Sequence, residues 1–231
     1  MIVIRPGNDR GYSDRGWLQS QFTFSFADYY DPAHMGFRAL RVINTDQVAP
    51  GKGFGPHAHR DMEILTYVVE GRLRHRDSTG EQHTLGANEI QLMSAGSGII
   101  HSEFNASETE FVRFLQIWIM PSVEDIKPAY QQVVFTPADK RGRLLLLTAP
   151  HSKDRPLTII HQDARVYVAN LGHNEEIRHA LGKERYAWLQ VVTGSISLNG
   201  LTLSEGDGAA VSEEPALTLR GAGEFLLFDL P

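Results

Sequence analysis

Apolar residues in this chain recur in short runs, with no stripe sustained at helical spacing. Phe22, Phe24 and Phe26 alternate with Thr23 and Ser25, the period-two pattern of a strand with one face on a core. ALRVIN (39–44), EILTYVV (63–69), FVRFLQIWIM (111–120), RLLLLT (143–148), LTIIHQD (157–163) and RVYVANL (165–171) are further β-rich runs, bounded by Gly, Pro and Asp. The most glycine- and proline-dense stretch, VAPGKGFGP (48–56), reads as an irregular loop, and STGE (78–81) as a tight turn after LRHRD. Asn199-Gly200, between ISL and LTL, is the strongest hairpin signal. PSVEDIKPAY (121–130) reads as the best short helix or turn, with Ser122 as a possible N-cap and acidic residues in its first turn. Strands at short spacing with glycine-rich turns predict an all-β chain of barrels or sandwiches.

Composition narrows this picture. With 231 residues, 42% of them hydrophobic, the chain can bury a real core in one large or two modest domains. A net charge of only -6, with acidic and basic residues interspersed, carries no footprint for the phosphate backbone, so direct nucleic-acid binding is not expected. No window approaches the ~20 apolar residues of a membrane span and the start lacks a signal-peptide core, which points to a soluble cytoplasmic protein. Zero cysteines exclude a disulfide, a thiolate zinc site and a cysteine nucleophile. Imidazole and carboxylate are the strong metal donors that remain.

Those donors concentrate between Gly51 and Asn105. His57 and His59 lie two apart on one predicted strand, and His101 and Glu103 repeat that spacing on another. Side chains two apart on a strand share a face, so two such pairs can surround one point and leave one or two coordination positions open. Three neutral imidazoles and a carboxylate suit Fe(II), the first expectation, as well as Mn, Ni, Co or Zn, with Cu also possible. Glu63 shares the parity of His57 and His59, either as a fifth ligand or, as we favour, as an acceptor that orients an imidazole N–H. His34, His75, His83, His151, His161, His173 and His179 lack paired spacing and read as surface or structural histidines.

The chain also repeats. TYVVEG (66–71) matches LQVVTG (189–194), with Gly86 and Gly206 following in similar positions. Two domains, 1–130 and 131–231, follow. Carrying the offset back from Gly194 puts Ala180, Gly182 and Tyr186 where the first copy has His57, His59 and Glu63, and none of them is a ligand. His179 is one residue away, which on a strand is the opposite face. The metal is therefore expected in the N-terminal copy alone.

GFGPHAHRDMEILTYVVEG resembles the first cupin motif, although its last glycine comes after seven residues where the usual pattern has six, and GSGIIHSEFN resembles the second, with Asn105 as its asparagine. With FTFSFADYYDP and MGFRALRVIN, nearly the whole chain resembles the pirin family of bicupins, and more closely its bacterial members with quercetin 2,3-dioxygenase activity. The resemblance implies two packed cupin barrels, with a metal in the N-terminal one held by His57, His59, His101 and Glu103, and Glu63 in a supporting role. It implies a dioxygenase that opens the central ring of a flavonol with O2 and releases CO, with Glu103 as the candidate proton acceptor. A monomer is expected. Phe24, Phe26, Tyr29, Phe37 and Met93 are candidate walls for the aromatic substrate. The competing reading, from eukaryotic pirins, is a regulatory protein whose iron oxidation state tunes partner binding. A sugar-phosphate or oxalate cupin is disfavoured because Arg60 is the lone basic residue beside the ligands.

Overall fold

Cross-strand pairing organises the backbone. The computed structural model describes residues 1–231, the side chain of Ser152 excepted. The first strands are β1 (Ile2–Arg5), β2 (Gly11–Asp14), β3 (Leu18–Phe22), β4 (Leu40–Val48), β5 (Gly53–Glu70), β6 (Arg72–Asp77), β7 (Gln82–Gly86), β8 (Glu89–Asn105), β9 (Val112–Ile119) and β10 (Ala129–Val134). There follow β11 (Leu145–Ala149), β12 (Thr158–Ile159), β13 (Arg165–Leu171), β14 (Glu176–Ala180), β15 (Tyr186–Leu198), β16 (Leu201–Ser204), β17 (Gly208–Val211) and β18 (Ala216–Leu230). Short 3-10 turns at Gly7–Asp9 and Ser152–Asp154 are the only helical pieces among the described residues. The all-β expectation holds.

Two nine-stranded sheets form. The N-terminal one runs β2-β3-β4-β9-β5-β8-β6-β7, with β10 on β8. The C-terminal one runs β1-β17-β15-β18-β13-β11-β12, with β14 on β18 and β16 on β15. Pairing crosses the division expected at residue 130: β1 joins the C-terminal sheet, and β10 completes the N-terminal one. Phe24, Leu65, Tyr67, Leu115 and Ile117 from one sheet and Val166, Val168, Trp188, Leu226 and Phe228 from the other share a single buried cluster. Across it, Lys140 Nζ donates to Glu224 Oε2 at 2.6 Å and to the Tyr67 hydroxyl at 2.9 Å, so a buried ion pair is bonded on both sides.

Long strands with both faces buried read as continuous apolar runs, and β5 is the case that shapes the site. Leu65 and Tyr67 face the other sheet, while Ile64 and Val68 face the interior of their own barrel. Register shifts at Phe54/His57 and His59/Asp61 interrupt the ladder, and Asp61 has φ +63. The first lets Pro56, which has no N–H to donate, sit inside a central strand. Strand β5 therefore begins at Gly53, inside the stretch expected to be an irregular loop. Gly53 is required there by close approach, because a Cβ would lie 2.2 Å from the Glu103 carbonyl oxygen.

Two other sequence readings need correction. Strand β3 ends at Phe22, after which Ser25 N turns to the His34 carbonyl, so Phe22, Phe24 and Phe26 do not line one strand face. Residues 121–130 form no helix. Ser97 N donates to the Ile126 carbonyl, Asp125 N donates to Asp61 Oδ1, and Asp125 has φ +57, so this segment bonds to strands β5 and β8 instead of to itself.

The hairpin at Asn199-Gly200 is as expected, with φ of +48 and +90, the signature of a type I′ turn. The duplication is visible as geometry: Gly71 and Gly194 adopt φ of +79 and +74 at matching points. Counting on from them, the His75↔Glu103 pair corresponds to Leu198↔Leu219. The His57↔His101 pair then corresponds to His179↔Leu217. His179, not Ala180, is thus the counterpart of His57, because the continuous β5 is split in the second copy into β14 and β15, and the connection between them adds one residue to the count that a linear offset assumes.

Candidate metal centre

The same bulges bring the imidazoles together. His57 stands directly opposite His101 in the β5–β8 ladder, and His59 follows on the same face. Ring centroids are 4.8 Å apart for His57 and His59, 4.4 Å for His57 and His101, and 4.8 Å for His59 and His101. Each ring offers a nitrogen within 4.8 Å of the other two.

Backbone and side-chain partners set the tautomers. His57 Nδ1 lies 2.8 Å from the Gly55 carbonyl oxygen, which only accepts, so Nδ1 carries the proton and Nε2 keeps its lone pair. His101 Nδ1 lies 3.5 Å from His75 Nδ1, and His75 Nε2 lies 2.9 Å from Asp77 Oδ2. Asp77 also accepts from Thr79 N at 2.8 Å and Thr79 Oγ1 at 2.6 Å. With His75 Nε2–H donating to Asp77, its Nδ1 accepts from His101, and His101 Nε2 is left free. That atom is buried and has no partner among the described residues.

The electrostatics agree. Burial, reinforced by His57, pushes His59 down to about 4. Burial, then His57, His59 and His75, push His101 down to about 2. Both rings are neutral at physiological pH and present lone pairs in place of protons. Glu103 is buried at 1% exposure, and burial, with Asp46 nearby, lifts its carboxyl to about 7 despite hydrogen bonds from Gln116 and Thr66. Gln116 Nε2 donates to Glu103 Oε2 at 2.8 Å, while the Thr66 hydroxyl lies 2.8 Å from Gln116 Oε1. Glu103 closes a second donor group with His75 and His101 at the same 4.8 Å limit. An orphaned imidazole nitrogen, two neutralised rings and a buried carboxyl fit a divalent transition metal.

Beside the rings lies a cavity of about 210 Å³. Leu18, Phe22, Phe26, Phe54 and Trp118 form its apolar walls, and Ser20, Asn44, Asp46 and Gln116 its polar side. Trp118 meets His59 edge-on at 4.9 Å and Phe26 at 5.3 Å. Of the expected aromatic walls, only Phe26 is here. Phe24 and Phe37 pack on Trp188 in the core between the sheets, Met93 packs with Ile64, and Tyr29 stacks on Phe22 with its hydroxyl bonded to Arg5.

Glu63 orients none of these imidazoles. Its parity with His57 and His59 is broken by the bulge at Asp61, so it faces the other sheet, where His161 Nδ1 lies 3.0 Å from Oε1 and Ser94 Oγ donates to Oε2 at 2.9 Å. Asn105 is structural, with Nδ2 donating to the Val48 and Glu110 carbonyls. His75, taken from the sequence as a surface or structural histidine, is fully buried beside His101. Its signal was the period-two run Leu73, His75, Asp77, which alternates buried with exposed residues along β6.

Residues 4–119 match the Pirin family, and residues 146–230 match the quercetinase C-terminal cupin domain. The chain is 48% identical to a quercetin 2,3-dioxygenase of Escherichia coli (strain K12), over 100% of this chain and 99% of that protein. The chain belongs to the pirin family. This pirin is also 42% identical to a pirin-like protein of Caulobacter vibrioides, over 99% of both chains. Its fold matches the crystal structure of bacterial pirin YhhW from Escherichia coli in complex with nickel(II), with TM-score 0.95, 46% identity and coverage of 100% of this chain and 99% of that one. The two-barrel cupin architecture is therefore shared along the whole length. In the C-terminal barrel, His179 faces Leu217, and its Nε2 lies 3.4 Å from Asp229, away from any second imidazole among the described residues. No helix is long and apolar enough to cross a membrane.

Proposed function

We propose that this pirin is a metal-dependent dioxygenase that opens the central ring of a flavonol such as quercetin with O2 and releases CO. The observation that carries the proposal is the imidazole triad His57, His59 and His101, together with an apolar, aromatic-walled cavity lined by His57, His59 and the buried Glu103. His57, His59, His101 and Glu103 would hold the metal, Fe(II) first among the candidates. When bound, it supplies Lewis acidity that favours the ionised 3-hydroxyl of a flavonol.

The chain's own residues do the rest. Trp118, Phe22 and Phe26 offer flat apolar surface to the substrate rings and keep water out. Glu103, lining the cavity beside the proposed metal position, is the candidate to take the proton of the 3-hydroxyl. Gln116 holds the other carboxyl oxygen and so fixes which one faces the substrate. Asp77, through His75, keeps His101 in the tautomer with Nε2 free.

The test is purified, iron-loaded protein incubated with quercetin under O2, following loss of flavonol absorbance and release of CO. Turnover in step with metal content supports the proposal. Absence of turnover with iron, manganese, nickel, cobalt, copper and zinc in turn overturns it and leaves a metal-dependent partner-binding protein as the reading.

A further inference from the structure

A second cavity, of about 290 Å³, opens between the two sheets on the far side of β4 from the metal centre. Asn44 and Asp46 face the metal cavity, while Thr45 and Gln47, which alternate with them, face this one. Its charge comes from Arg10, only 7% exposed. The Arg10 guanidinium contacts neutral acceptors alone: the Gln21 carbonyl at 2.9 Å, Thr45 Oγ1 at 3.1 Å, Gln21 Oε1 at 3.4 Å and the Ile43 carbonyl at 3.5 Å. Its Nε has no partner among the described residues. A buried cation without a carboxylate at hydrogen-bonding distance is costly unless an anion completes its surroundings.

Arg113, on β9, adds a second guanidinium at the rim, bonded through Nη1 to Glu205 Oε1 at 2.8 Å. The Glu205 side chain is half exposed, at 52%, so it can yield to a ligand. The floor is apolar, formed by Leu115, Val191 and Val192. Cation, apolar floor and a volume at the lower end for ligand pockets together describe one kind of occupant. We propose that this cavity binds a small organic carboxylate, of about one-ring size, with its carboxylate toward Arg10 and its apolar body on the floor. The site is separate from the metal centre and does not depend on the proposed dioxygenase activity.

The test is calorimetric titration of the full chain with benzoate, its neutral analogue benzamide, and inorganic phosphate. One benzoate should bind, with benzamide and phosphate each at least about tenfold weaker. Equal binding of benzamide would remove the role of the cation, and equal binding of phosphate would remove that of the apolar floor. Either result overturns the proposal. Gln47→Trp, at a half-buried position facing the cavity, should abolish benzoate binding while the melting temperature stays near wild type. Arg10→Met should do the same if it folds, and Arg113→Met should weaken binding several-fold as an independent check. His59→Ala, in the other cavity, should leave benzoate binding intact. Binding that survives Gln47→Trp, or disappears in His59→Ala, places benzoate elsewhere and overturns the assignment.

Discussion

His75, His101 and Glu103 in the N-terminal barrel occupy the positions that Leu198, Leu217 and Leu219 take in the C-terminal barrel, and all six are buried. With leucines there, the C-terminal interior is one continuous apolar cluster that runs from Ala169 to Leu227. With histidines and a carboxyl, the N-terminal interior splits into two clusters, one around Val68 and Phe114 and one around Ile64 and Met93, with the donors between them. The same backbone thus supports either a packed core or a polar site. The polar choice leaves His101 Nε2 without a partner and Glu103 with a raised pKa, costs that a bound cation would offset.

The largest test of this contrast is at the donors. His59→Ala and His101→Ala should lose metal and turnover together, by at least about 100-fold, in elemental analysis and CO release. Glu103→Gln should lose more activity than metal. Metal retained at full stoichiometry in both histidine variants would move the site out of the N-terminal barrel and break the comparison.

In the other barrel, Leu217→Ala should cost about 2–5 kcal/mol in denaturant unfolding without changing metal content, the penalty of a cavity in a dry core. The converse swap, His101→Leu, should abolish metal binding and leave the chelated protein near the stability of chelated wild type, since it removes the unpaired His101 Nε2 but strands the buried His75 Nδ1.

A smaller effect is expected one step behind the ligands. Asp77→Asn should weaken metal binding by about 10–100-fold with the fold intact, because the amide no longer dictates which nitrogen of His75, and through it of His101, carries the proton. Wild-type affinity in this variant would show that the ring orientations come from packing alone.

The smallest is a pH effect at Asp46. Burial lifts its carboxyl to about 6, against the opposing Ser20 hydrogen bond and the Arg10 charge. A carboxyl raised on folding binds its proton more tightly in the native state, so its contribution is fully present below the ordinary value near 4 and is lost as pH rises through about 6. Chelated Asp46→Asn should therefore melt about 2–4 °C above chelated wild type at pH 7.5, and the difference should vanish or reverse at pH 4. A pH-independent difference would mean that the Asp46 carboxyl titrates alike in the folded and unfolded chain.

What the linear sequence determined by itself was local. β-rich apolar runs bounded by Gly, Pro and Asp marked the strands, Asn199-Gly200 the hairpin, and two-residue spacing put His57 with His59 and His101 with Glu103 on shared faces, because side-chain direction along an uninterrupted strand follows from the backbone alone. Tertiary structure decided whatever depends on register between strands distant in sequence. The bulge at Asp61 turned Glu63 to His161, the break between β14 and β15 made His179 the counterpart of His57, and no count along the chain reveals an inserted residue. Pairing of β6 with β8 placed His75 behind His101, turning an unpaired histidine into the link between Asp77 and the metal centre. Packing of the two sheets left Arg10 buried between them, a consequence of both halves meeting that neither half encodes.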